Sequence, residues 1–290
     1  MSAGNGLGAV SSRIWTIIAW LAGIGATCYG SVAAAAFFGQ RWLLYPAPPN
    51  PVEPRASGAK LLRIDPGSGV TFYVLHAPAP AGAPTVVHFH GNGEDLAGQA
   101  LLVDGFRRAG LGAYAVEYPG YGLAQSARLD ESSVYATAEA ALRHLIDLGV
   151  PRESIVLQGQ SLGSGVAVEM ARRGYGARLV LISPYTSIVD MAALVTPFLP
   201  VRWLVRDRYE SEHKAPGITL PALVIHGTED EVVPFRMGKR IAEVLPHCEF
   251  VAVVGAGHND LFDQRRVDVL ARIVAFARDG KSTDGAASTP

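Results

Sequence analysis

The sequence predicts an α/β domain, built as a mostly parallel, eight-stranded sheet flanked by helices. Three observations carry this. Short apolar runs alternate with segments of helical periodicity along most of the chain. From the third run onward the runs are nearly continuous in apolar residues, as strands buried on both faces require. Residue types suited to chemistry recur just after those runs, at the carboxyl ends of the expected strands.

The first segment stands apart from the domain. Residues 14–39 carry no charge and read IWTIIAWLAGIGATCYGSVAAAAFFG. About 20 apolar residues cross a bilayer core, and this run is longer. Arg13 and Arg41 bracket it, and Trp15, Trp20, Trp42 and Tyr45 sit near its ends as an aromatic belt would. Three readings fit: a transmembrane anchor, a signal peptide cleaved at the A-x-A sites near Ala36, or a buried helix. The length favours the anchor over a signal peptide. Arg13 lies on one side, with Arg41 and Arg55 on the other, so charge gives no orientation. Residues 1–40 are therefore read as the anchor. Residues 41–60, with APPNPVEPRASG, read as a linker, 61–278 as the domain, and 279–290 as a disordered tail.

Within the domain, strands are expected at 61–64, 72–75, 86–89, 113–117, 155–157, 179–182, 222–225 and 250–254. The first two have no helix between them and predict an antiparallel hairpin at one edge. Helices are expected at 95–109, 131–148, 161–173, 188–199, 236–245 and 261–277. In the second, Val134, Ala138, Ala141, Leu142 and Leu145 share one face, and Gly149 and Pro151 mark its end. The connection MAALVTPFLPVRWLV with RDRYESEHKAPG is too short for a large lid, so a small or absent cap is expected.

Bulk properties narrow the function. A formal net charge of −1 gives no electrostatic case for nucleic acid as a partner. Cys28 and Cys248 lie far apart and imply neither a disulfide framework nor a zinc site.

The stretch IVLQGQSLGSG, residues 155–165, places Ser161 between a buried strand and a helix. Gly159 and Gly163 are small where strand and helix come close, which is the geometry of a nucleophile elbow. A serine hydroxyl needs a neighbouring base. His258, in GAGHND after the last strand, is the best candidate. His144 is mid-helix, His213 and His247 lie in polar connections, and His90 and His226 precede glycines and read as turn residues. The imidazole needs an acid to fix its tautomer. Glu229, Asp230 and Glu231 follow the seventh strand, and spacing does not choose among them. Oxyanion donors would be the backbone N–H groups of Leu162 and, in the HGNG loop, Asn92. His88 and His90 form an H-x-H pair that continues as GNG, which is not a hydrolytic metal motif, so no metal or cofactor is expected. Glu94 and Asp95 are expected at a helix N-terminus, Tyr118 and Tyr121 in loop packing, and Ser164 in close packing.

Together HGNGED, EYPGYG, GQSLGSG, SPYTS, HGTEDEVVPF and GAGHND, in this order after QRWLLYP, resemble the α/β-hydrolase superfamily. The chain is most similar to its membrane-anchored, single-domain serine hydrolases of the α/β-hydrolase-domain type. The similarity spans roughly 41–277. It implies the α/β-hydrolase fold, Ser161 as nucleophile, Asp230 as acid and His258 as base. It implies an ester, thioester or amide as target. The stretch GLAQSARLDE departs from the family, which often has glycine and serine there. A membrane-delivered acyl ester or thioester is the preferred small-molecule substrate, and the bilayer is a partner through the N-terminal helix. A peptidase or amidase, a catalytically silent scaffold and a homo-oligomer are the alternatives left open.

Overall fold

The computed structural model describes residues 5–67, 71–124, 129–262 and 267–279, with side chains from residue 13. The expected tail at 280–290 and residues 125–128 of the divergent loop lie outside the described residues.

Eight strands form one sheet: β1 (Lys60–Ile64), β2 (Phe72–Ala77), β3 (Thr85–Phe89), β4 (Gly112–Val116), β5 (Ile155–Gln160), β6 (Arg178–Ile182), β7 (Ala222–Gly227) and β8 (Cys248–Val253). Their spatial order is β1-β2-β4-β3-β5-β6-β7-β8. β1 and β2 make the expected antiparallel edge hairpin, and β2 also meets β4 antiparallel. All later pairs are parallel. β3, β4 and β7 are buried along their whole length, which is why their sequences are continuous apolar runs and not alternating ones.

Nine helices appear among the described residues: α1 (Asn5–Leu44), α2 (Ala100–Arg108), α3 (Glu131–Asp147), α4 (Leu162–Arg172), α5 (Ile188–Val195), α6 (Val201–Leu204), α7 (Ser211–Lys214), α8 (Phe235–Val244) and α9 (Val269–Asp279). α3, α4 and α8 bury apolar faces in one core cluster, and α2 and α9 in a second on the other side of the sheet. α3 starts where Asp130 accepts the backbone N–H of Ser133 and Ser133 Oγ accepts the N–H of Asp130, a reciprocal cap.

Several boundaries differ from the sequence expectation. The segment expected as one helix over 188–199 stops at Val195 and resumes at Val201. Pro197 and Pro200 interrupt it by removing N–H donors and crowding the preceding residues. α2 begins at Ala100, not 95, and α9 at Val269, not 261. α1 runs on through 41–44, into the segment expected as linker, and Tyr45 is buried in the core. Tyr45 and Tyr209 share a hydroxyl–hydroxyl hydrogen bond of 3.1 Å.

α1 is long and apolar enough to cross a membrane over Arg13–Leu44, 32 residues. Its last turns are fixed to the domain. Gln40 Nε2 donates to Leu204 O at 3.0 Å, and Gln40 Oε1 accepts the N–H of Arg206 at 2.8 Å. The Arg41 guanidinium makes a two-pronged contact with Asp207 at 2.9 and 3.2 Å and lies 3.4 Å from Asp130.

Candidate active site

β5 ends at Gln160 and α4 begins at Leu162, so a single residue makes the turn between them. Ser161 adopts φ 48°, ψ −117°, in the positive-φ half of conformational space that non-glycine residues rarely enter. Such a turn costs on the order of 1–3 kcal/mol and persists only where its surroundings enforce it. Here they do. A Cβ on Gly159 would lie 2.1 Å from Gly163 O, and one on Gly163 would lie 2.0 Å from Phe89 O. Both clashes are with backbone, so the glycines are what let α4 leave the sheet this tightly. Ser164, one turn on, donates from Oγ to Ser161 O at 2.6 Å and closes the turn.

Of the three adjacent acids, Asp230 is buried while Glu229 and Glu231 are exposed. Asp230 Oδ1 accepts the backbone N–H groups of Val232 and Val233 at 3.0 and 2.7 Å. Its Oδ2 faces His258 Nδ1 at 2.8 Å and accepts the Ser183 hydroxyl at 2.8 Å. His226 Nε2 stands 3.2 Å from the same oxygen. Burial alone would raise the pKa of this carboxyl. The bonds from His226, His258 and Val233 outweigh it and hold the group well below the usual carboxylate range. With a carboxylate on Nδ1, that nitrogen of His258 carries the proton, which leaves Nε2 with a free lone pair. Among the described residues, neither that Nε2 nor the Ser161 hydroxyl has a hydrogen-bond partner, so no bond yet joins the two. In apo sites such contacts are often open and tighten around a substrate.

The backbone N–H groups of Asn92 and Leu162 donate to nothing within the described protein. Both residues line the same cavity as Ser161. The Asn92 loop is held from beneath. His90 is fully buried, with Nδ1 2.8 Å from Gly91 O and Nε2 3.1 Å from Glu117 Oε1. Burial by itself would lower the His90 pKa. The Glu117 carboxylate and the Gly91 carbonyl reverse this and raise it, favouring the doubly protonated ring. Glu94 Oε2 accepts the Gly91 N–H at 2.7 Å, and Tyr118 OH donates to His90 O at 2.9 Å.

The structure brings Asn92, Ser161 and Leu162 onto one cavity, after β3 and β5, and pairs Asp230 with His258, after β7 and β8. It also corrects two readings. His90 and His226 are not turn residues; each is a buried imidazole beside an acid. Glu94 and Asp95 do not sit at a helix N-terminus; they accept the N–H groups of Gly91 and Gly98 within the loop before α2. His88 is a neutral core histidine, because burial pushes its pKa down to about 3. Ser183, with φ 46°, joins the site through its bond to Asp230 without a sequence expectation of its own. Its place just past β6, in SPYTS, was the one available signal.

A cavity of about 290 Å³ opens over Ser161. Its walls come from α5 and α6, from Val232 and Val233 beside Asp230, and from the end of α1. No charged side chain is among its described lining residues.

A family model described as serine aminopeptidase, S33, matches residues 81–209. The alpha/beta hydrolase domain-containing protein aho-3 of Caenorhabditis elegans is 37% identical over 187 residues, which are 63% of this chain and 55% of that protein. An uncharacterized protein of Mycobacterium tuberculosis is 35% identical over 208 residues, 70% of this chain and 73% of its own length. The chain belongs to the α/β-hydrolase superfamily. Among solved structures, the Pyrococcus furiosus esterase Pf2001 aligns with this chain at a TM-score of 0.64, over 79% of this chain and 96% of its own, at 17% identity. That likeness is one of fold. The chain spans little more than half the length of its nematode relative, and its own site has to carry the assignment of activity.

Proposed function

We propose that this hydrolase cleaves a carboxylic ester or thioester of an aliphatic acyl chain, with Ser161 as nucleophile, His258 as base and Asp230 as the acid that orients it. The observation that carries the reading is the uncharged, apolar cavity ending on a strained serine turn, with two unpaired backbone N–H groups beside it.

Substrate binding closes the gap between Ser161 and His258. Ser161 Oγ attacks the carbonyl carbon as its proton passes to His258 Nε2, and the N–H groups of Asn92 and Leu162 receive the developing oxyanion. Collapse breaks the bond to the alcohol or thiol, which leaves with the proton from His258. A water then repeats the sequence on the acyl-enzyme and releases the acid. Asp230 keeps its charge throughout and stabilises the imidazolium. The same reading makes α1 a retained membrane anchor: 32 helical residues measure about 48 Å, against about 30 Å of hydrocarbon.

An aminopeptidase is the second reading, prompted by the description of the matching family. It would need an acid to hold a substrate ammonium, and the described cavity lining offers none. The test is fluorophosphonate labelling of the full chain beside Ser161→Ala, with p-nitrophenyl esters of rising length, acyl thioesters and peptides as substrates. Labelling that needs Ser161, with preference for longer acyl groups, supports the reading. Absent labelling, or a preference for peptides, overturns it.

A further inference from the structure

The cavity over Ser161 is not closed by the catalytic domain alone. Ala36, Gln40, Leu43 and Leu44 of α1 line it together with Met191, Val195 and Leu199 of the α5–α6 region. The two walls are joined. Ala33 and Ala36 pack on the cluster of Val189, Leu199 and Val201, and Tyr29 OH donates to Phe198 O at 3.0 Å. Both elements also carry large exposed apolar side chains: Phe38 (80% exposed) and Trp42 (81%), about half a turn around α1 from its cavity-lining residues, and Trp203 (88%) and Phe198 (62%) at the α5–α6 tip. Scattered exposed apolar residues need no explanation, but this group is contiguous with a helix able to cross a bilayer. About 20 residues suffice for the crossing, which puts the last three turns of α1, and the α5–α6 tip beside them, at the lipid interface. Tryptophans are favoured there, where an apolar ring meets a wet polar edge.

We infer that the end of α1 and the α5–α6 tip form a lipid-embedded mouth, through which an acyl chain slides from the bilayer leaflet, along α1, to Ser161. This rests on the reading of the chain as an acyl hydrolase and names the route and the source of its substrate. The anchor is then one wall of the acyl pocket, and the substrate's chain stays in an apolar medium from leaflet to active site.

Two measurements test it, both on the full chain in phosphatidylcholine vesicles. In the first, Trp15, Trp20 and Trp42 are replaced by Phe, so Trp203 is the sole emitter. Lipids brominated high on their acyl chains should quench it strongly. Emission unchanged from that in unbrominated vesicles overturns the embedded mouth. In the second, Ala36→Leu narrows the wall on α1 and Ala192→Leu narrows the opposite wall, and the ratio of kcat/KM for hexadecanoyl over butanoyl p-nitrophenyl ester is compared with the wild type. Each methylene kept out of the pocket costs about fourfold, so the ratio should fall by roughly tenfold or more. Fluorophosphonate labelling of Ser161 in each variant shows that the site is folded. A labelled Ala36→Leu protein with an unchanged ratio removes α1 from the pocket while leaving the hydrolase reading intact. Wild-type protein that is neither labelled nor active on the butanoyl ester overturns that reading, and the inference with it.

Discussion

Replacing Asp230 by Asn probes the site where its geometry is most constrained. The amide offers one acceptor and one donor end, and the surroundings decide which end goes where. Oδ1 faces two backbone N–H groups, at 2.7 and 3.0 Å. Turning the NH₂ end toward them would leave the buried Val233 donor unpaired, at about 1–3 kcal/mol, and break the part-buried bond from Val232 as well. The oxygen therefore stays on that side and the NH₂ end faces His258 Nδ1, where Oδ2 stood 2.8 Å away. A donor there draws the lone pair of Nδ1 and moves the ring proton to Nε2. His258 can then no longer accept the proton of Ser161. The wrong tautomer in a protease triad lowers kcat by about 10⁴, which is about 5.5 kcal/mol of barrier. The fold should survive, since His226 Nε2 keeps its bond to Val233 O at 2.9 Å. The assay is kcat on a p-nitrophenyl ester, with Glu229→Gln and Glu231→Gln in parallel. Both of those carboxylates are exposed and should stay close to wild type. A kcat for Asp230→Asn within about tenfold of wild type, or an equal loss in either neighbour, refutes the reasoning.

Three further outcomes are expected. Ser183→Ala removes a 2.8 Å bond to Asp230 Oδ2 and should lower kcat about tenfold with KM near wild type, because a bond to a charged group is worth roughly 1.5–3 kcal/mol; an equal rise in KM would point to a damaged pocket instead. Gly163→Ala drives a Cβ to 2.0 Å from Phe89 O, where overpacking costs at least about 1–3 kcal/mol, so its Tm and its labelling by fluorophosphonate should both fall; a variant as stable and reactive as wild type would show that the elbow is looser than described. Glu169 is the third case: burial alone would raise its pKa, but Arg172, Lys214 and Arg173 bring it down to about 2, below the unfolded value near 4.3. The stability it contributes is thus present above about pH 4 and lost as pH falls toward 2. The Tm gap between wild type and Glu169→Gln should be open at pH 7 and shrink below pH 4, and a gap independent of pH would contradict the ion-pair account.

The central strands could be read from the sequence because a strand buried on both faces, as β3, β4 and β7 are, leaves a continuous run of apolar residues. Helix ends were less legible. Glu94 to Gln99 have helical composition, yet their acids bond to loop N–H groups, and that choice depends on how the loop packs against Glu117. The break after Val195 is legible in Pro197 and Pro200, which override the helical periodicity around them. At the site, Ser161 and His258 sit in motifs at strand ends, so position along the chain points to them; among Glu229, Asp230 and Glu231 position does not choose, and Asp230 follows only from the family resemblance. Ser183 and His226 occupy the same kind of position. Their roles depend on which way a side chain points from a turn, and neither spacing nor composition encodes that. The pairing of His90 with Glu117 is hidden for a related reason. They follow β3 and β4, which are adjacent in the sheet, and adjacency emerges only once the strand order is known.

The contacts at the end of α1 have a consequence for how this chain can vary. Any sufficiently apolar helix would hold a protein at a membrane, and substitutions among such residues are freely exchangeable. The segment from Gln40 to Tyr45 is different, because Leu204, Asp207 and Tyr209 meet it at fixed positions. One inserted residue turns everything beyond it by about 100° around the helix axis. An insertion just before Gln40 would swing either the hydrophobic stem or the Arg41 side chain away from its partner on the domain. Drift in length and composition should therefore be tolerated upstream of Cys28, and insertions or deletions penalised from Tyr29 to Tyr45. Inserting one alanine at residue 20 and one at residue 39 of the same protein would show the difference directly: the first should leave hydrolysis of long acyl esters in vesicles intact, and the second should lose it.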